Sequence, residues 1–192
     1  MVEVARTGGD SARIGVAGDT FNTAVYLSRA LGPGRVAYVT ALGTDRQSDR
    51  ILDALRAEAL DTSHVARLPG MMPGLYLIET NASGERTFNY WRDSAPAREL
   101  FELADWGRVA ESVMAAGVVY FSGITLSLYS NNGLGRFLAV LEMAREKGVK
   151  IVFGPGRHPT SGAVFLYFEG PDGMVFEYST GVRCIAPEQE AG

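Results

Sequence analysis

The sequence predicts an α/β protein: a parallel sheet with flanking helices, carrying one β-hairpin and followed by an antiparallel hairpin of different character. Three observations lead there. Strand, helix and strand patterns follow one another over residues 118–123, 134–147 and 149–153, the succession that builds a parallel sheet with right-handed crossovers. Two β-rich runs, 75–80 and 86–91, flank the polar turn Asn81-Ala82-Ser83-Gly84, which is hairpin chemistry. After Phe153 the breaker cluster Gly154-Pro155-Gly156-Arg157-His158-Pro159 ends the alternation, and no helical pattern returns.

Taken in order, residues 21–31 form a helix opening just after a glycine. Val36 to Leu42 is a short apolar, partly β-branched run ended by Gly43, and Ser48 to Ala59 carries Ile51, Leu52, Leu55 and Ala59 at helical spacing, so a strand, a loop and an amphipathic helix are expected. The hairpin 75–91 comes next, then a helix over Trp106 to Ala116. Val118 to Gly123 reads as a buried strand that breaks at its glycine. Leu134 to Lys147 places Phe137, Leu138, Leu141 and Ala144 on one face and stops at Gly148, before the strand Val149 to Phe153. In the last segment, 163–168 and 174–178 flank Pro171-Asp172-Gly173 and read as an antiparallel hairpin.

The chain has 192 residues, 46% hydrophobic and 21% charged, a composition that supports a globular core. Its net charge of -4 with scattered basic residues leaves no footprint for a nucleic-acid backbone. No stretch approaches a membrane span, and the start Met1-Val2-Glu3-Val4-Ala5-Arg6 lacks the form of a signal peptide. A single cysteine, Cys184, excludes an intramolecular disulfide. A soluble, cytoplasmic protein without nucleic-acid or membrane partners is the expectation.

The segment Ala17-Gly18-Asp19-Thr20-Phe21-Asn22-Thr23-Ala24 enters a helix with a glycine that allows close backbone approach and with Asp19 and Asn22 in the first turn. Such a turn serves either as a helix cap or as a site where amides hold a polyol. In the hairpin, alternation puts Tyr90 and Arg92 on one face of a strand, where they can share a ligand.

The run Val16 to Ala24, the strand end Ala41-Leu42-Gly43-Thr44-Asp45, the segment Pro73 to Thr80, the block Gly84 to Ala95 and Tyr120-Phe121-Ser122-Gly123-Ile124-Thr125-Leu126 together resemble the N-terminal half of a PfkB, or ribokinase-like, carbohydrate kinase. The Tyr-Trp-Arg-Asp-Ser-Ala and Phe-Ser-Gly-Ile-Thr-Leu blocks are similar to the branch acting on 2-keto-3-deoxygluconate. The resemblance covers residues 1 to about 152, and it implies an incomplete ribokinase-like parallel sheet whose hairpin is a lid over the sugar and a surface for homo-oligomer formation. It further implies that Gly18 and Asn22 lie against sugar hydroxyls, that Tyr76 and Tyr90 line the pocket, and that Arg92 meets the substrate carboxylate. A fixed planar cation suits a carboxylate because it donates two parallel hydrogen bonds.

The family's reaction is ATP-dependent phosphoryl transfer with Mg²⁺, and it uses an Asp-Thr-x-Gly-Ala-Gly-Asp stretch whose last Asp takes the hydroxyl proton. Ala17-Gly18-Asp19-Thr20-Phe21 imitates the end of that motif, but Arg13-Ile14-Gly15-Val16 lacks its preceding positions and Asn22 and Ala24 fit the sugar motif. The expectation is therefore a sugar-acid-binding half, 1–152, with no catalytic residue of its own and no turnover.

Residues 153–192 resemble the last hairpin of a vicinal-oxygen-chelate extradiol dioxygenase. That resemblance implies a metal ligand at Glu177, with His158 and Tyr167 at proton- and oxygen-handling positions. An iron(II) site of this type needs two histidines and a carboxylate; the chain has only His64 and His158, which argues against iron. The function classes in view are a sugar-acid kinase fragment, a metal-dependent dioxygenase-like protein and a non-catalytic oligomerisation fragment. The switch near Phe153 suggests a fusion of two unrelated reading frames or a recombined gene.

Overall fold

The computed structural model describes residues 1–81, 83–153, 156–157, 164–169 and 175–180, with side chains through residue 150. Its leading feature is a four-stranded mixed sheet in the order β2-β1-β5-β6. Strands β1 (Val2–Gly8) and β2 (Ser11–Val16) form an antiparallel hairpin. Its turn uses Gly8 and Gly9 at φ 129° and 52°, which residues with a Cβ adopt only at a cost. β1 runs parallel to β5 (Leu75–Thr80), and β5 pairs antiparallel with β6 (Arg86–Trp91). The turn between β5 and β6 is built on Asn81, whose Oδ1 accepts from the amides of Ser83 and Glu85, the side-chain mimic of a backbone turn.

The predicted hairpin 75–91 has the expected bounds, but β1 and β2 widen it into a sheet. In β1, Val2 and Val4 alternate with Glu3, a half-buried pattern that suits a mixed sheet with one covered face. Val2, Val4, Val16 and Leu75 pack on the helices α1 (Asp19–Leu31) and α2 (Arg46–Ala57), together with Val25, Leu42, Ile51, Leu52 and Leu55. α2 begins two residues before the expected Ser48 because Asp45 caps it, its Oδ1 accepting from the amides of Gln47 at 2.8 Å and Ser48 at 3.2 Å.

The parallel part of the fold consists of two ladders. β3 (Thr40–Gly43) pairs with β4 (Val65–Leu68), a strand the sequence reading did not contain. The expected strand 36–42 starts late because Ala37 makes only an isolated bridge to Asp61. β7 (Val118–Phe121) pairs with β8 (Lys150–Phe153). In place of one continuous parallel sheet, the two ladders share a core in which Ala41, Phe121 and Val149 meet α3 (Trp106–Met114) and α5 (Asn131–Glu146) through Val113, Phe137, Val140 and Ala144. A short helix, α4 (Gly123–Leu128), follows β7; the Ser122 and Thr125 side chains each bond the other's backbone amide and start it. β9 (Gly156–Arg157), β10 (Val164–Glu169) and β11 (Val175–Thr180) form an antiparallel sheet, with the expected second hairpin as β10 and β11. Among the described residues no helix is long and apolar enough to cross a membrane.

Candidate functional site

Strand register assembles the site. Residues directly opposite each other in a ladder share a face, and Gly15 lies opposite Glu3, Glu3 opposite Tyr76, and Tyr76 opposite Tyr90. One row therefore crosses all four strands, and Arg92 extends its face one alternation beyond Tyr90, past the end of β6. The opposite face presents Val2, Leu75 and Trp91.

Tyr76 is buried, and its hydroxyl donates to Glu3 Oε2 at 2.5 Å. Burial, then the hydrogen bond to Glu3 and the Glu3 charge, push its phenol well above the usual tyrosine range. The Tyr76 ring packs 5.9 Å from Tyr90 and 6.3 Å from Phe88, and Phe88 stacks on Tyr90 at 6.4 Å. These rings make an aromatic floor whose outer members, Phe88 and Tyr90, are 44% and 51% exposed, so part of it faces outward, free to meet a ligand. The Arg92 guanidinium sits 4.7 Å over the Tyr90 ring and pairs with no carboxylate among the described residues. Its charge is thus oriented by an aromatic face and available to an anion.

Gly18 and Asn22 lie at the N-terminus of α1. Gly18 has φ 153° and ψ 157°, a conformation reserved for glycine, and its carbonyl accepts from the Asn22 amide at 2.8 Å. The Asn22 side chain is exposed. Beside them Asp19, the other polar side chain of that turn, has its Oδ2 buried without a hydrogen-bond partner among the described residues. The Thr20 hydroxyl shares a 2.9 Å hydrogen bond with Tyr38. Burial pushes the Tyr38 phenol up to about 12, against the Thr20 bond and with help from Asp19. The structure thus joins Tyr76, Tyr90 and Arg92; among the described residues no hydrogen bond or ring contact ties them to Gly18 or Asn22. Glu3 was the residue missed within the row.

The chemistry of these groups suits a polyol bearing an acid. Tyrosine faces stack on sugar rings, unpartnered oxygens accept hydroxyl protons, and a free guanidinium takes a carboxylate. At the helix starts, α1 carries the buried Asp19 oxygen in its first turn, α2 is capped by Asp45, and at α5 Glu102 accepts from Ser130 and Asn132. No group of three or more His, Cys, Asp or Glu side chains that could hold a metal occurs among the described residues. Glu177 stands opposite Tyr167 in the β10–β11 register, while its side chain, His158 and Cys184 lie outside the described residues. A cavity of about 240 Å³ is lined by Val2, Leu75 and Trp91 of the other face of the sheet and by Gln47.

The fold is thus a sheet backed by helices on one face, with an aromatic, cation-bearing outer face. The model of the pfkB family of carbohydrate kinases matches residues 6–162, a stretch that crosses the switch at Phe153. The chain is 41% identical over 161 residues to 2-dehydro-3-deoxygluconokinase of Dickeya dadantii, covering 83% of this chain and 52% of that protein. It is 40% identical over 161 residues to the enzyme of the same name from Escherichia coli K12, with the same coverage. The solved structure of 2-dehydro-3-deoxygluconokinase from Thermotoga maritima superposes with a TM-score of 0.68 at 26% identity, covering 80% of this chain and 47% of that one. This chain belongs to the pfkB family of carbohydrate kinases. It spans about half the length of the curated relatives it matches.

Proposed function

We propose that residues 1–152 bind 2-dehydro-3-deoxygluconate, the sugar acid named in the relatives' titles, as the substrate half of a sugar-acid kinase. The observation that supports this most is the Tyr76, Tyr90 and Arg92 constellation, with the guanidinium held over an aromatic ring and free of any carboxylate among the described residues. The sugar stacks on the tyrosines and its carboxylate meets Arg92. Gly18, Asn22 and the unpartnered Asp19 oxygen at the start of α1 take hydroxyls. The reaction of this reading is phosphoryl transfer from ATP with Mg²⁺ to a hydroxyl of the bound sugar acid. ATP would supply the phosphoryl group and Mg²⁺ would neutralise its charge.

Calorimetric titration of the chain tests the reading. Saturable binding of 2-dehydro-3-deoxygluconate, with fructose bound at least about tenfold more weakly for want of a carboxylate, is the expected result. Equal affinity for the neutral sugar, or no binding of the acid, would sink it.

A further inference from the structure

The row on the open face of the sheet is asymmetric in charge. Glu3 stands at its β1 position, 19% exposed, and Arg92 at its β6 end. The two Glu3 oxygens have different partners: Oε1 faces the Arg13 guanidinium at 3.7 Å, and Oε2 accepts from Tyr76 at 2.5 Å. A tyrosine hydroxyl has one proton to donate. With that proton committed to a carboxylate, the strongest kind of acceptor, the Tyr76 oxygen has only lone pairs to offer a ligand.

We propose that Glu3 is a positioning residue that sets the direction in which a sugar acid lies on the sheet, a proposal that rests on the sugar-acid reading above. By taking the Tyr76 proton, Glu3 makes Tyr76 an acceptor for a substrate hydroxyl. With an acceptor at Tyr76 and a cation at Arg92 the face has two chemically different ends, so the carboxylate goes to Arg92 and the hydroxylated end lies over Tyr76. The raised ionisation of Tyr76, caused by burial and by its bond to Glu3, agrees with a phenol that stays protonated and bound to the carboxylate. The ladder places no other carboxylate in that row.

The test uses the whole chain with 2-dehydro-3-deoxygluconate as probe. Glu3→Leu is expected to weaken binding about tenfold, whereas Glu3→Gln, whose carbonyl still accepts from Tyr76, stays within about threefold of wild type. In a Tyr76→Phe background Glu3→Leu costs nothing further, because its effect passes through the hydroxyl. Wild-type affinity in Glu3→Leu, or the same loss in both backgrounds, overturns the proposal. Failure of the wild-type chain to bind overturns the sugar-acid reading instead. The Glu3–Tyr76 link is then read without ligand from the ¹³Cζ resonance of Tyr76, assigned by its loss in Tyr76→Phe. A shift of that resonance in Glu3→Gln and Glu3→Leu supports the link, and an unmoved resonance overturns it.

Discussion

Replacing Arg92 separates ligand binding from folding. In Arg92→Ala the sugar acid loses a bidentate, charge-assisted pair, about 1.5–3 kcal/mol, which is about 10- to 150-fold in Kd. The fold loses much less. Arg92 makes no ion pair among the described residues, and its contact with Tyr90, at 4.7 Å, contributes about 0.5–1 kcal/mol at a partly exposed site. A change of that size lowers Tm by only about 2–4 °C in a chain of this length. Calorimetric titration paired with a thermal melt reads both quantities, and Arg92→Lys, which keeps the charge but not the planar fork, falls between wild type and Arg92→Ala. Arg92→Ala binding the sugar acid within about twofold of wild type would refute the assignment of Arg92 to the carboxylate. So would a variant that binds weakly only because it no longer melts cooperatively.

Other predictions concern the scaffold. A Cβ added at Gly43 would stand 1.8 Å from the Met71 carbonyl oxygen and 2.7 Å from Asp45 Oδ2, so Gly43→Ala is expected to cost about 2–4 kcal/mol, read as a fall in the denaturant midpoint; an unchanged midpoint contradicts the packing at that strand end. Burial raises the Asp45 carboxyl, but the hydrogen bonds from the Ser48 hydroxyl and the Ser48 and Gln47 amides outweigh it and hold it below the usual range. Its contribution is therefore present above the unfolded aspartate pKa and lost as pH falls through the lower folded value; Asp45→Ala, about 1–2 kcal/mol less stable at neutral pH, is expected to differ less from wild type in acid. Trp91, 59% exposed on the face of the sheet away from the tyrosines, is proposed to meet a second copy. Sedimentation equilibrium of Trp91→Asp is then expected to show a lighter species than wild type, and identical masses contradict it.

The sequence carried the parts of the fold that are marked locally. The hairpin β5–β6 was legible to the residue because Asn81 and Gly84 punctuate two β-rich runs, and α5 because Phe137, Leu141 and Ala144 repeat on one face. β1 and β2 were not, since β2 reads Ser11-Ala12-Arg13-Ile14-Gly15-Val16 and is largely exposed, leaving no apolar alternation to see. Gly8-Gly9 was the one local signal for that hairpin. α4 hid behind the apolar text after Gly123, and its sign was the Ser122 and Thr125 pair. Within the site, Tyr90 and Arg92 were placed together by alternation along one strand. Glu3 could not be found that way. Its partner Tyr76 is 73 residues distant, and only the parallel register of β1 on β5 brings the two together.

The central claim is that this sheet face binds a sugar acid, and a near-UV circular dichroism melt of the chain with and without saturating 2-dehydro-3-deoxygluconate tests it most directly. A ligand that binds only the native state at about one hundred times its Kd stabilises it by about 2.7 kcal/mol, an upward shift of about 5–10 °C for a chain of this length. The account predicts a cooperative transition that moves upward by that amount. A cooperative transition that stays in place at saturating sugar acid would contradict it.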